Sequence, residues 1–281
     1  MPATLDELLT LLDLEVLDDR LFRGGQPEVS RLPRVYGGQV AAQALVAAQQ
    51  TVPEGRFVHS LHSYFILGGD PSVPIVYDVE DVRDGGSFTT RRVAARQHGS
   101  IIFYMTASFQ KEEEGFAHQD EMPEVLPPEQ CQKMSDIIRE FSPEWADGWD
   151  AEWSAAEARM VPIDEPSTQR VWLRLAGDIE DRRPLRAALL TYFSDLTLLG
   201  PTLHPHHRIV SSPDVQVASL DHSIWFHRTT NADQWFLYDQ HSPSATGGRG
   251  LSLARVFSQQ GELVASIAQE GLIRPIIPSP R

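Results

Sequence analysis

The apolar positions follow two periods, and the two recur in the same order in each half of the chain. Thr4-Leu5-Asp6-Glu7 has the capping-box pattern and precedes Leu8, Leu9, Leu11 and Leu12, which predicts a short N-terminal helix. Gly37-Gly38 precede an alanine-rich run from Gln39 to Ala48 that is apolar on most faces and ends at Val52-Pro53, the pattern of a buried helix. Residues 57–66, 75–82, 87–98 and 101–110 then read as strands, separated by turn signals at Gly68-Gly69-Asp70, Asp84-Gly85-Gly86 and His98-Gly99. The second half repeats this order. A helix is predicted over 184–199, closed by Gly200-Pro201, and strands over 215–228, 234–240, 249–258 and 262–270.

Local matches support a repeat. Ser60-Leu61-His62-Ser63 resembles Ser219-Leu220-Asp221-His222-Ser223 at an offset of 159, and Gln97-His98-Gly99 falls on Gln259-Gln260-Gly261 at an offset of 162. The expected fold class is therefore α+β: two tandem units, each a helix wrapped by an antiparallel sheet. The expected division is an N-terminal unit at 1–110 with a short leading helix, a joining segment at 111–165 and a C-terminal unit at 166–281. In the joining segment Trp145, Trp149 and Trp153 fall on one helical face, which is expected to pack on the two units.

Charge sharpens this division. The chain of 281 residues carries a net charge of −15, yet 111–165 alone holds 16 acids against 4 bases. The flanking units are nearly neutral, so they do not repel an anionic ligand, while nucleic acid is not an expected partner. The bases are almost all arginine, Lys111 and Lys133 being the lysines. One cysteine, Cys131, excludes an intrachain disulfide framework. No apolar run approaches the ~20 residues of a membrane-spanning helix, and no signal peptide is visible at the N-terminus, so a cytoplasmic setting is expected.

Several chemistries lack their residues. Gly-x-Ser-x-Gly and Gly-x-x-x-x-Gly-Lys-Ser/Thr do not occur, and Gly247-Gly248-Arg249-Gly250 reads as a turn. His204-Pro205-His206-His207 has no carboxylate or cysteine at ligand spacing and reads as a solvated loop. No metal or cofactor is expected. Arg91, Arg92, Arg228 and Arg249 are candidates for a ligand phosphate, with surface ion pairing the simpler role for each.

Three stretches together resemble the acyl-CoA thioesterase II family, the double-hotdog thioesterases. They are Arg34-Val35-Tyr36-Gly37-Gly38-Gln39-Val40; His59-Ser60-Leu61-His62-Ser63-Tyr64-Phe65 with Arg83-Asp84-Gly85-Gly86-Ser87-Phe88; and Ala218 to Arg228 with Val264-Ala265-Ser266 and Gln269-Glu270-Gly271. The resemblance implies a double hotdog, hydrolysis of acyl-CoA to fatty acid and CoA, and self-association as a homodimer or higher homo-oligomer. It also implies a catalytic set that holds one water: Asp195 as the carboxylate, Ser219 as the hydroxyl and Gln269 as the amide. In one member of that family threonine stands at the Ser219 position, so the hydroxyl is kept.

The residues themselves are compatible with that set. Asp195 lies on a largely apolar helical stripe with Ala188, Thr191, Tyr192, Leu198 and Leu199. Ser219 continues the face of Val215 and Val217, and Gln269 that of Leu263, Ala265 and Ile267. Each is a polar interruption of an apolar face, either satisfied separately or sharing one site. His222 is expected on the strand face opposite Ser219, and Asp221 is a second candidate carboxylate. In the first half Gln269 falls on Ala107 and only Ser60 remains, so one site per chain is expected. The alternatives are a non-catalytic acyl-CoA binding protein, or a hotdog enoyl-CoA hydratase, for which no His-Asp pair at a helix start is found.

Overall fold

The computed structural model describes residues 1–28, 30–163, 165–177, 179–180, 182–229 and 234–276. The helices are α1 (Leu5–Leu12), α2 (Gly37–Gln49), α3 (Met134–Phe141), α4 (Pro143–Glu152), α5 (Arg183–Ser194) and α6 (Gly200–Leu203). The first-half strands are β1 (Glu15–Asp18), β2 (Leu21–Gly24), β3 (Arg56–Phe65), β4 (Ile75–Asp84), β5 (Phe88–Gln97) and β6 (Ser100–Lys111). Then come β7 (Gln132–Lys133), β8 (Ala156–Met160), β9 (Thr168–Leu175), β10 (Val215–Ser219), β11 (Asp221–Phe226), β12 (Phe236–Thr246), β13 (Arg249–Ser258) and β14 (Leu263–Pro275). As the capping box implied, Thr4 Oγ1 accepts from the Glu7 amide at 3.2 Å.

Among the described residues, the strands form one antiparallel sheet in the order β1-β2-β4-β5-β6-β3-β11-β14-β13-β12-β9-β8-β7, with β10 also pairing β14. The order is a palindrome of two units joined edge to edge by β3 and β11. Leu61 and Ile224 face each other across that seam, both fully buried. An edge strand left open would invite further pairing, so each unit closes the other's edge. The helices α2 and α5 pack side by side in the layer that the sheet wraps. Ala41, Ala44, Ala47, Ala48, Ala187 and Ala188 are all buried, and such small side chains allow close approach. The helices run antiparallel: Gln49 Nε2 at the end of α2 donates to Pro184 O at the start of α5 (3.1 Å).

Matching bulges align the two units. Ile102 bulges from β6 next to the pair Ala95–Phe103, and Val264 bulges from β14 next to the pair Val256–Ala265. Counting from these, Tyr77 corresponds to Tyr238, and each phenol reaches its own central helix. Tyr77 Oη donates to Gln43 Oε1 (2.7 Å), and Tyr238 Oη to Ser194 O (2.5 Å). The same count places Ala107 where Gln269 stands and Leu61 where His222 stands. It also corrects one expectation: the counterpart of Ser219 is Val58, opposite Phe109 as Ser219 is opposite Gly271, and not Ser60.

Other expectations change at breaks in the pattern. The helix expected to reach 199 ends at Ser194, and Asp195 is its C-cap. The strand expected over 215–228 is two strands broken at Leu220, whose amide donates to Glu270 O (2.9 Å). β9 is an additional strand beyond those expected, and Val171, Leu173 and Leu175 alternate along one buried face of it. In the joining segment α4 stops at Glu152, and Trp149 and Trp153 stack at 5.8 Å. Their face forms the wall of a cavity; it is not fully packed away.

Candidate active site

Asp195, Ser219 and Gln269 come from three separate elements and meet. Ser219 Oγ donates to Asp195 Oδ1 at 2.9 Å. Gln269 Nε2 donates to Asp195 Oδ1 and to Ser219 Oγ, each at 3.0 Å. The first half supplies a fourth contact, since the Gly38 amide at the start of α2 donates to Asp195 Oδ2 at 3.1 Å.

The helix ends explain why the carboxylate is poised. Asp195 sits at the negative end of α5, where a second negative charge is disfavoured, and at the positive end of α2, where it is favoured. Burial lifts the Asp195 carboxyl above the ordinary aspartate range, against the opposing pull of His222, Ser219, Gln269 and the Gly38 amide. The approach of α2 is so close that it leaves little room for a side chain at Gly37 and none at Gly38. A Cβ at Gly37 would lie 2.6 Å from Asp195 Oδ2, and one at Gly38 would lie 2.2 Å from Tyr192 O.

Asp195 and Ser219 open onto an apolar cavity of about 1090 Å³. Trp145, Trp149 and Trp153, with Ile138 and Phe141 from α3, form part of its wall. Tyr36 meets Trp153 edge-on at 5.0 Å and donates to Tyr192 O at 2.8 Å, tying the cavity wall to α5.

His222 was expected away from the site. The break at Leu220 shifts the alternation by one, so His222 turns inward and is fully buried. Its Nδ1 contacts Gln269 Oε1 and its Nε2 lies 2.7 Å from Ser194 Oγ. Burial lowers its pKa, and the Asp195 charge opposes that. Asp221, the second candidate carboxylate, is engaged elsewhere and accepts from the Glu270 amide at 2.7 Å. Leu220 carries no special signal in the sequence, so the inward turn of His222 was not readable there.

The other candidates lie apart. His204 and His207 line the same cavity, away from the polar cluster's hydrogen bonds. Gly247 and Gly248 both adopt positive φ in the β12–β13 turn, as a glycine-rich turn requires. Arg91 is buried, contrary to the expected surface role: its guanidinium lies 2.8 Å from Asp81 and 2.9 Å from Asp84. Arg249 pairs with Glu270 at 2.9 Å, Arg92 pairs with Glu80, and Arg228 donates to Leu263 O at 2.7 Å.

Two helices, each wrapped by half of one antiparallel sheet and sharing one polar cluster, define a double-hotdog protein. The acyl-CoA thioesterase profile matches residues 149–272, and the profile for the family's N-terminal domain matches 27–110. The chain is 39% identical to acyl-CoA thioesterase 2 of Haemophilus influenzae, over 98% of this chain and 99% of that one. It is 40% identical to human acyl-coenzyme A thioesterase 8, over 94% of this chain and 88% of that one. A crystal structure of an acyl-CoA thioesterase II from Mycobacterium marinum superposes with a TM-score of 0.82 at 44% identity, covering 96% of this chain and 98% of that chain. The chain belongs to the acyl-CoA thioesterase family.

Proposed function

We propose that this protein hydrolyses the thioester of fatty acyl-CoA, with Asp195, Ser219 and Gln269 holding the attacking water. The observation that carries this reading is the position of the cluster: a carboxyl with a raised pKa and a hydroxyl line an apolar cavity, and the buried Gln269 amide bonds to both. Asp195 is the general base, and a raised pKa brings a base closer to working pH. Ser219 and Gln269 orient the water. The water oxygen bonds to the thioester carbonyl carbon while its proton passes to Asp195. The tetrahedral intermediate collapses by breaking the C–S bond, and the CoA thiolate takes up the proton. A thiol with a pKa of about 8.5 leaves without a strong general acid. The acyl chain occupies the cavity beside the tryptophans, and no cofactor is needed.

In this reading the chain divides into a non-catalytic unit at 1–110, a joining segment at 111–165 and a catalytic unit at 166–281. Self-association is supported by the outer face of the sheet, where Tyr64, Tyr104, Trp225, Leu251 and Leu253 are exposed. A cytoplasmic setting fits a chain with a single cysteine, and no helix among the described residues is long and apolar enough to cross a membrane.

The test is to incubate the protein with palmitoyl-CoA and follow free thiol. Thiol release is expected. Ser219→Thr should keep most of it, and Ser219→Ala should lower kcat by about 10²-fold with little change in KM. Binding without thiol release would leave an acyl-CoA binding protein. Hydration of an enoyl-CoA without thiol release would point to a hydratase. A covalent acyl-enzyme on Ser219 would replace the water mechanism with a nucleophilic one.

A further inference from the structure

We infer that His222 is a positioning residue that fixes the direction of the Gln269 amide and holds it while Asp195 is protonated. This rests on the catalytic set proposed above. Gln269 Oε1 can only accept, so the Nδ1 atom of His222 that faces it carries the hydrogen and donates. The contacts at the other ring nitrogen are compatible with that assignment in two arrangements. Ser194 Oγ lies 2.8 Å from Thr191 O and 2.7 Å from His222 Nε2, and its single hydrogen serves one or the other. When Ser194 donates to Nε2 the ring is neutral. When it donates to Thr191 O, Nε2 carries a hydrogen of its own and the ring is an imidazolium, a form that burial disfavours and the Asp195 charge favours. In both arrangements Nδ1 donates to Gln269, so the ring holds the amide in either state.

The hold matters at one moment of the reaction. An ionised Asp195 by itself draws the Gln269 NH₂ group toward Oδ1 (3.0 Å). Once Asp195 has taken the water's proton it can donate, and the flipped amide, with Oε1 toward the carboxyl, becomes a competing arrangement. His222 disfavours that flip, because it would set Nδ1–H against the amide NH₂. The Gln269 donor to Ser219 is thereby kept in place through the proton transfer. The first unit supports the pairing of roles. Its counterparts of Gln269 and His222 are Ala107 and Leu61, which face each other as an apolar pair, so both members are absent together.

The experiment compares His222→Leu, His222→Asn, Gln269→Ala and the double variant His222→Leu/Gln269→Ala, using thiol release from palmitoyl-CoA and thermal midpoints. Leucine is the residue the first unit tolerates at this position, and asparagine Nδ2 stands in for histidine Nδ1. His222→Leu should lower kcat by about 10²-fold, the scale of a misplaced catalytic group, with KM nearly unchanged. His222→Asn should regain most of that loss. The double variant should fall within about threefold of Gln269→Ala, because the second change acts only through the first. A folded His222→Leu with near-normal kcat overturns the inference, as does a double variant in which the two losses multiply. If His222→Leu does not fold, a folded His222→Asn as inactive as Gln269→Ala overturns it equally. A Gln269→Ala enzyme with full activity would instead remove the proposed catalytic set itself.

Discussion

The Gly38 amide and the Asp195 carboxylate are 157 residues apart and joined by a 3.1 Å hydrogen bond. This bond ties the start of the central helix of one unit to the end of the central helix of the other. The candidate site is thus built between the units, although the three side chains of the proposed set come from the second.

Space at this junction yields the first prediction. In Gly37→Ala the new methyl meets the Asp195 side chain and the Phe65 ring, which can shift. In Gly38→Ala it meets the Tyr192 carbonyl, which is helix backbone and cannot. Gly38→Ala should lower the thermal midpoint further, by an amount equivalent to about 1–3 kcal/mol of overpacking. Gly37→Ala should show the reverse bias, a modest loss of stability with a clear loss of kcat. Equal effects on both quantities in the two variants would refute the distinction.

A second prediction concerns pH. The folded-state pKa of Asp195 is raised, so folding disfavours its ionised form, and that cost is present at pH values above the folded pKa. Asp195→Asn removes the titration. Its stability relative to the wild type should therefore improve as pH rises through the Asp195 pKa, while kcat falls by about 10²–10⁴-fold. In the wild type, kcat/KM should rise with pH through a midpoint above the ordinary aspartate value. An acid limb at or below that value would contradict the assignment of Asp195 as base.

The tryptophan wall predicts selectivity. Trp149→Ala removes apolar surface from the cavity without touching Asp195. The ratio of kcat/KM for palmitoyl-CoA over butyryl-CoA should fall, by roughly tenfold on the scale of small changes in an apolar pocket. Equal losses on both substrates would mean that Trp149 serves the fold alone.

The last prediction separates the units. Residues 166–281 carry Asp195, Ser219 and Gln269 but lack Gly38, the β3 partner of the β11 edge and the α2 face against α5. That fragment should be insoluble or inactive, and titration of the whole chain should find one site. A soluble and fully active fragment would show the first unit to be dispensable.

The two central helices, the longer strands that wrap them, the repeat and the residue types of the site were legible along the chain, because amphipathic periods, glycine turns and polar interruptions of apolar faces are local features. Ala107 was matched to Gln269 for the same reason, since the hairpin turns marked the offset. Breaks in the pattern were decided elsewhere. Asp195 ends its helix because the start of α2 meets it there, and His222 faces inward because the chain breaks at Leu220 to bond with Glu270. No local period encodes either event. Contacts such as Gly38 with Asp195, and Gln269 with Ser219 and His222, join positions far apart in the chain, and only the closure of the two halves of one sheet around two antiparallel helices brings them together.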